Sequence, residues 1–154
     1  MNTKKYVMET TTKTFGNVTL HRIWNVKKGV LGGWIETEKN LSQDGDAWVS
    51  GDARVFGDAR VFGDAQVSGE AQVFGEAQVF GDAQVSGDAQ VFGDARVSGD
   101  ARVFGDARVF GDAWVFGDAW VSGDARVSEP WSYIEVTPGV EIWGPKRLQG
   151  GGKP

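Results

Sequence analysis

Acidic side chains recur at every sixth position through the middle of the chain, where they could act together on a ligand. Residues 45–128 form fourteen consecutive hexads of the form G-[DE]-A-x-V-[FS], and the acid is Glu only at Glu70 and Glu76. Columns of carboxylates could bind a hard cation, but Ca²⁺ needs six or more converging oxygens. The favoured interpretation is that each Asp caps its own corner of the backbone. No metal site is therefore predicted.

General-base catalysis is the second kind of chemistry to consider. The chain has one histidine, His21, which lies outside the hexads, and it has no cysteine. A general base needs a pocket that holds the substrate proton within hydrogen-bonding reach, whereas uninterrupted hexads predict smooth walls. The lack of cysteine excludes thiol nucleophiles and Cys metal sites. His21 is therefore the only candidate for catalysis, a weak one, and no cofactor is predicted.

Each hexad predicts a short strand followed by a turn. In A-x-V-[FS], small or apolar residues alternate with others, which is typical of a strand with one buried face. Ala and Val share one face and x and [FS] the other. The x residue is Arg, Gln or Trp, so Ala and Val form the core. Gly-Asp is a turn signal, because glycine accepts a positive φ.

Strands this short need partners from neighbouring coils. Parallel coils about 4.8 Å apart would pair each backbone group with the coils above and below. Sorting every third hexad groups the Phe and Ser of the last position better than sorting every second hexad. The sequence therefore predicts a triangular prism with three hexads in each coil and a little under five coils in the array.

The hexad resembles the repeat of hexapeptide-repeat proteins that form left-handed parallel β-helices. V-F-G-D-A-R and V-S-G-D-A-Q share its aliphatic residue, the small residue four positions later and the Asp or Gly corner. The resemblance covers residues 45–128 and implies an all-β, left-handed solenoid, although the usual rule for parallel crossovers gives the opposite hand. Residues 19–49 are similar to the N-terminal segment of uncharacterised repeat proteins of enteric bacteria and their phages.

The flanks are predicted to close the ends of the prism, because open coil ends expose unpaired strand edges. Gly33-Trp34-Ile35 repeats the small-x-aliphatic pattern of Ala47-Trp48-Val49. We expect an N-terminal cap or entry coil at 1–44, the β-helix at 45–128, a C-terminal cap at 129–146 and a flexible tail at 147–154. The tryptophans expected to pack in the caps are Trp24, Trp34, Trp131 and Trp143.

Aromatic side chains are the third constellation. Phenylalanine at the last hexad position points away from the core by alternation, and the coil predicts Phe ladders on two edges with Ser on the third. Long exposed apolar strips usually mark an interface, but the rings could instead pack only on their neighbours one coil away. The interface candidates are Phe56, Phe74, Phe92, Phe110, Phe62, Phe80, Phe116, Trp114 and Trp120.

These patterns favour a non-enzymatic structural or interaction scaffold. Its partner would be a second copy, for example in a trimer around the Phe edges, or another protein. Hexapeptide acyltransferases are the first alternative, although the array lacks the histidine and extruded loop that the resemblance would imply. An acidic decoy for a host DNA-binding protein is the second.

The net charge of -5 argues against direct binding to nucleic acid or to an anionic membrane. No stretch reaches the roughly 20 apolar residues that span a bilayer. We expect a cytoplasmic protein, or a phage protein made in the host cytoplasm.

Overall fold

The computed structural model describes residues 4–128 and 142–143. In this part of the chain the fold is all-β, a solenoid of about five stacked parallel coils with one short 3₁₀ turn at Glu38–Asn40. The strands are β1 Tyr6–Phe15, β2 Val18–Asn25, β3 Val30–Ile35, β4 Trp48–Val49, β5 Arg54–Val55, β6 Arg60–Val61, β7 Gln66–Val67, β8 Gln72–Val73, β9 Gln78–Val79, β10 Gln84–Val85, β11 Gln90–Val91, β12 Arg96–Val97, β13 Arg102–Val103, β14 Arg108–Val109, β15 Trp114–Val115, β16 Trp120–Val121, β17 Arg126–Val127 and β18 Ile142–Trp143.

The coil repeats after three hexads, as the Phe and Ser pattern predicted. Gln84 pairs in parallel with Gln66 on one side and with Arg102 on the other. Three sheets result, which we name by their array strands: face A has β5, β8, β11, β14 and β17, face B has β6, β9, β12 and β15, and face C has β4, β7, β10, β13 and β16. The chain visits faces A, B and C in turn.

Alanine and valine of every hexad line the interior. Each of these side chains is at most 1% exposed, so the predicted alternation of buried and outward positions is confirmed. Burying a valine side chain stabilises the fold by roughly 1.5 kcal/mol or more, and burying an alanine contributes less. Backbone pairing adds to this, because the amide of Gln84 donates to Ala101 O (2.9 Å) and that of Ser86 to Val103 O (2.9 Å).

The corners need glycine for two reasons. At a typical corner the amide of Ala83 donates to Phe80 O (3.4 Å), which closes the turn, and Gly81 between them has a φ of 67°. Gly87 occupies the equivalent position at the next corner with a φ of 65°, and a Cβ atom there would lie 2.9 Å from Gly105 N on the next coil. A side chain would therefore meet both backbone strain and the neighbouring coil.

The chain before the array adds an entry coil and a covering hairpin. β1 and β2 are antiparallel, β3 continues their sheet, and Trp34 and Ile35 of β3 pair in parallel with Arg54 and Val55 of face A. This agrees with the predicted repeat of the small-x-aliphatic pattern at Gly33-Trp34-Ile35. Leu41 continues the entry coil by bridging Val61.

At the other end, β18 pairs antiparallel with β16. Ile142 and Trp143 therefore extend the sheet of face C. The rest of the predicted C-terminal cap at 129–146, including Trp131, and the tail at 147–154 lie outside the described residues. Within the described ranges, no helix has the length and apolar character that crossing a bilayer requires.

Candidate interaction surfaces

The longest aromatic ladder follows the edge between faces A and B. We call Phe56, Phe74, Phe92 and Phe110 the Phe ladder. Successive ring centroids lie 5.1, 4.9 and 5.2 Å apart, with planes within 8° of parallel. The rings are half-buried, because each covers the next while its outer edge faces solvent. Phe15 of the cap contacts Phe56 edge-on, at 5.7 Å between centroids.

The other two edges carry fewer aromatic contacts. Between faces B and C, Phe62 and Phe80 stack at 4.9 Å, Ser98 interrupts the column and Phe116 packs against Trp114 at 5.3 Å. Between faces C and A, serine predominates, and Phe104 contacts Trp120 edge-on at 6.1 Å. The candidate residues therefore lie along separate edges and faces rather than in one pocket.

Trp114 and Trp120 are the most exposed large apolar side chains of the array, at 45% and 39%. They occupy x positions on faces B and C of the last complete coil, and Arg102 lies over the Trp120 ring at 5.4 Å. The phenylalanines of the two stacked columns, by contrast, pack on one another. Lateral packing of the rings is therefore observed, and a partner on their outer edges stays a prediction.

His21 lies in the middle strand of the cap. Its backbone is opposite Thr12 on β1 and Ile35 on β3, and its side chain is half-buried. A cleft of about 480 Å³ opens beneath the β2–β3 turn, and Lys5, Lys27 and Trp48 are among its lining residues. His21 does not line this cleft.

The array carboxylates do not cap their own corners, so that interpretation was wrong. Corner amides already pair with the next coil, as the amide of Asp82 does with Gly99 O (2.8 Å). The hydrogen bond made to an array carboxylate runs instead between coils, from the amide of Asp46 to Asp64 Oδ1 (3.2 Å). Among the described residues, no group of three acidic, His or Cys side chains is placed to hold a metal ion.

Both ion pairs within residues 4–128 and 142–143 involve a lysine that precedes the array. Lys4 pairs with Glu38 (3.1 Å), and Lys39 pairs with Asp58 (3.5 Å). No array arginine lies within ion-pairing distance of a carboxylate in this part of the chain. Apart from Arg54, whose guanidinium lies over the Phe15 ring at 4.3 Å, the array arginines and carboxylates are exposed to solvent.

Buried polar side chains join the hairpin to the entry coil, and the sequence patterns did not reveal them. Lys5 Nζ donates to Ala47 O (2.7 Å) and Gly45 O (3.2 Å), and Gln43 Oε1 accepts from the Lys5 amide (2.8 Å). Burial lowers the pKa of Lys5, which the nearby Asp46 opposes. These contacts satisfy carbonyls at the first corner, where no earlier coil is present to do so.

Tyr6 and Asn40 complete this polar junction. The Tyr6 hydroxyl donates to Leu41 O (2.5 Å), and burial, aided by the Glu38 carboxylate, raises the pKa of Tyr6 far above its ordinary value. Asn40 is fully buried, and its amide group donates to the carbonyls of Gly57 (3.1 Å) and Ala59 (2.9 Å) on the next coil. Neither residue repeats along the chain, so periodicity gave no signal for either.

Comparison with known families agrees with this architecture. Residues 53–69, 89–103 and 101–117 match the model of the YdcK beta solenoid repeat. No curated protein matches the chain. The match supports a repeat β-solenoid, and all the matched residues lie in the array.

Proposed function

We propose that this β-solenoid repeat protein is a rigid interaction scaffold whose Phe ladder contacts a protein partner. The partner would be a second copy of the chain or another protein. Left-handed coiling and a cytoplasmic location, in a bacterium or in the host of a phage, are parts of the same proposal. The observation that carries it is the ladder itself: four stacked, nearly parallel rings whose outer edges face solvent along one edge of a prism.

Rigidity supports this role. The hexads from residue 45 to residue 110 donate backbone hydrogen bonds to the next coil, and the interior is filled by alanine and valine. Side chains on such a lattice lose little conformational freedom on binding, which lowers the entropic cost of association. Aromatic rings supply large contact areas, and they are enriched in interfaces between proteins.

Comparison of the three edges supports it further. Every corner has the same backbone, yet one edge carries four consecutive phenylalanines where the edge between faces C and A carries mostly serine. Serine is therefore compatible with the turn. A general need to shield the corner would act on all three edges, whereas aromatic residues predominate on two edges and form an uninterrupted column of four only on the edge between faces A and B.

The experiment is light scattering on the triple variant Phe56→Ser/Phe74→Ser/Phe92→Ser across a range of protein concentrations. We expect the wild type to form a species larger than a monomer and the variant to remain smaller. The matched control is Phe62→Ser/Phe80→Ser on the shorter ladder, which should keep the wild-type mass. Thermal unfolding of both variants checks that they fold.

Unchanged mass in the folded triple variant, together with unchanged capture of proteins from a host lysate, would contradict the proposal. An assay for acetyl-CoA turnover tests the acyltransferase alternative in the same preparations. Turnover that depends on His21 would replace the scaffold by an enzyme.

A further inference from the structure

Exposed apolar side chains are concentrated at the two ends of the described solenoid. Apart from Trp114 and Trp120, the large apolar side chains that are well exposed within the described ranges lie in the β2–β3 turn, at Val26, and at the start of β3, at Val30 and Leu31. We define the head patch as Val26, Lys27, Lys28, Val30 and Leu31, and the tail patch as Asp112, Trp114, Phe116, Asp118 and Trp120.

The head patch is held in one conformation by its own turn. Asn25 is buried, its side chain accepts from the amide of Lys28 (2.9 Å), and its carbonyl accepts from the amide of Gly29 (2.8 Å). The amide of Val26 donates to Lys5 O (2.8 Å), which ties the turn to β1. Exposed valine and leucine on a fixed turn bind with little loss of conformational entropy.

A cleft beneath the head patch can receive a large side chain. It measures about 480 Å³, and Lys27, Lys28, Val30 and Trp48 are among its lining residues. An indole ring would contact apolar groups there and lie beside two ammonium groups, an arrangement that favours cation–π contact.

The tail patch offers the complementary chemistry. Trp114 and Trp120 project from adjacent faces, and the corner between them carries Phe116 and Asp118. Asp112 and Asp118 are exposed and have no ion-pairing partner in the described chain. The head patch is basic and apolar, with Asp44 and Asp46 below it in the cleft. The tail patch is acidic and aromatic, with Arg96 and Arg102 beside its tryptophans.

We infer that the head patch of one copy binds the tail patch of a second copy. Lys27 and Lys28 face the carboxylates of the partner, and an exposed tryptophan of the partner enters the cleft beneath the turn. This deepens the proposed scaffold role by naming a partner, and it uses surfaces separate from the Phe ladder.

Association of this kind has a recognisable consequence. The two patches differ, so the contact is heterologous, and the assembly keeps one free head patch at one end and one free tail patch at the other. Heterologous contacts build open-ended filaments unless the rotation between successive copies closes a ring. The contact also depends on opposite charges at the surface, so salt should weaken it.

Sedimentation velocity of the full chain over a concentration series tests the inference. We expect the mean mass of the wild type to rise with concentration and to fall when salt is added. The head variant is Lys27→Glu/Lys28→Glu, and the tail variant is Trp114→Gln/Trp120→Gln. Glutamine already occupies the same columns at Gln78 and Gln84, so the tail variant is compatible with the coil.

Each variant alone should associate at least tenfold more weakly than the wild type, and Arg108→Gln on face A should behave as wild type. A mixture of the two variants should form a 1:1 dimer and nothing larger, because only one competent head and one competent tail remain in each pair. This stoichiometry would not follow from a general loss of stability.

A wild-type mass that stays constant over the series would overturn the inference, and so would variants that associate as the wild type does. The Phe56→Ser/Phe74→Ser/Phe92→Ser variant separates the two proposals. If only that variant loses association, the head-to-tail contact is wrong and the Phe ladder stands. If only the head and tail variants lose association, self-association through the ladder is wrong.

Discussion

The rings of Phe74 and Phe92 stack with their centroids 4.9 Å apart and their planes 2° from parallel. The two residues occupy equivalent corners of successive coils, so the rise of the coil sets the distance between the rings. The spacing between parallel strands is close to 4.8 Å, which lies within the range that favours contact between aromatic rings. A regular solenoid therefore turns a repeated phenylalanine into a continuous stack.

This stack predicts a position-dependent cost for one substitution. Phe74→Ser removes two stacked contacts, each worth about 0.5–1.5 kcal/mol. Phe104→Ser makes the same change at the same hexad position, but Phe104 has no stacked phenylalanine among the ring contacts of the described chain and touches only Trp120. We expect Phe74→Ser to lower the free energy of unfolding by about 1 kcal/mol more than Phe104→Ser, because the first variant loses two ring contacts and the second loses one. Urea denaturation of both variants measures the difference, and equal losses would contradict it.

The array could be read from its sequence because each residue type has one environment throughout. Val85 and every other array valine face the interior, so the alternation of A-x-V-[FS] was repeated evidence for one structure. The number of hexads in a coil followed from Phe and Ser, since stacked coils place like residues in columns. The interpretation of the corner Asp residues was wrong. The backbone amides that their side chains were expected to cap donate instead to carbonyl groups of the next coil.

The junction of the cap could not be read in this way. Lys5 donates to Ala47 O, and Asn40 donates to Ala59 O. Each pair of residues is well separated in the sequence and occurs once in the chain rather than once per hexad. No period predicts such a pair. The head patch was not predicted from the sequence either, because the exposure of Val30 and Leu31 depends on how the β2–β3 turn projects from the cap. The proposed binding surfaces were predicted only where they belong to the array.

The close approach of corner glycines gives a second prediction. Gly87→Ala places a Cβ atom 2.9 Å from Gly105 N and also strains the backbone, since Gly87 has a φ of 65°. Gly16 has the same φ, and a Cβ there meets nothing within 4 Å. The control Gly16→Ala should therefore cost only the strain, about 1–2 kcal/mol.

We expect Gly87→Ala to cost at least about 1 kcal/mol more than this control, because overpacking adds to the strain. The midpoints and slopes of urea denaturation give both values. A Gly87→Ala variant as stable as Gly16→Ala would show that the coils separate without cost.

Asn40 gives a third prediction, on the attachment of the cap. Its side-chain oxygen accepts from the amides of Glu36 (3.0 Å) and Thr37 (2.8 Å), and its amide group donates to two carbonyls of the next coil. Asn40→Ala leaves these buried backbone groups without hydrogen-bond partners. Each unsatisfied group lowers the free energy of unfolding by about 1–3 kcal/mol. We expect a loss of about 3 kcal/mol or more in the free energy of unfolding.

The variant Asn40→Asp tests the same contacts by their charge. A carboxylate keeps the acceptor but points a second oxygen at the carbonyls of Gly57 and Ala59, so at neutral pH this variant should be no more stable than Asn40→Ala. Protonation restores a donor, and the folded state should raise the pKa of the new carboxyl group. Its stability relative to Asn40→Ala should therefore increase as the pH falls, and a difference that is independent of pH would contradict this account.

Tyr6 gives a prediction for alkaline pH. The ordinary pKa of tyrosine is 10.0, and burial holds the pKa of folded Tyr6 well above it. Above pH 10 the unfolded chain therefore loses a proton that the folded protein keeps. The folded state then binds more protons than the unfolded state, so the free energy of unfolding falls as the pH rises through this window.

The variant Tyr6→Phe separates this contribution from those of other groups, including Lys5, whose lowered pKa acts in the opposite direction. At neutral pH the variant should be less stable by about 1–3 kcal/mol, because Leu41 O and Glu38 O lose their donor. The gap in unfolding free energy between wild type and variant should narrow above pH 10, since the wild type alone loses this contribution. Urea denaturation from about pH 8 to about pH 11 measures the gap. A gap of constant size would mean that the Tyr6 hydroxyl ionises as readily in the folded protein as in the unfolded chain, and that the junction does not bury it.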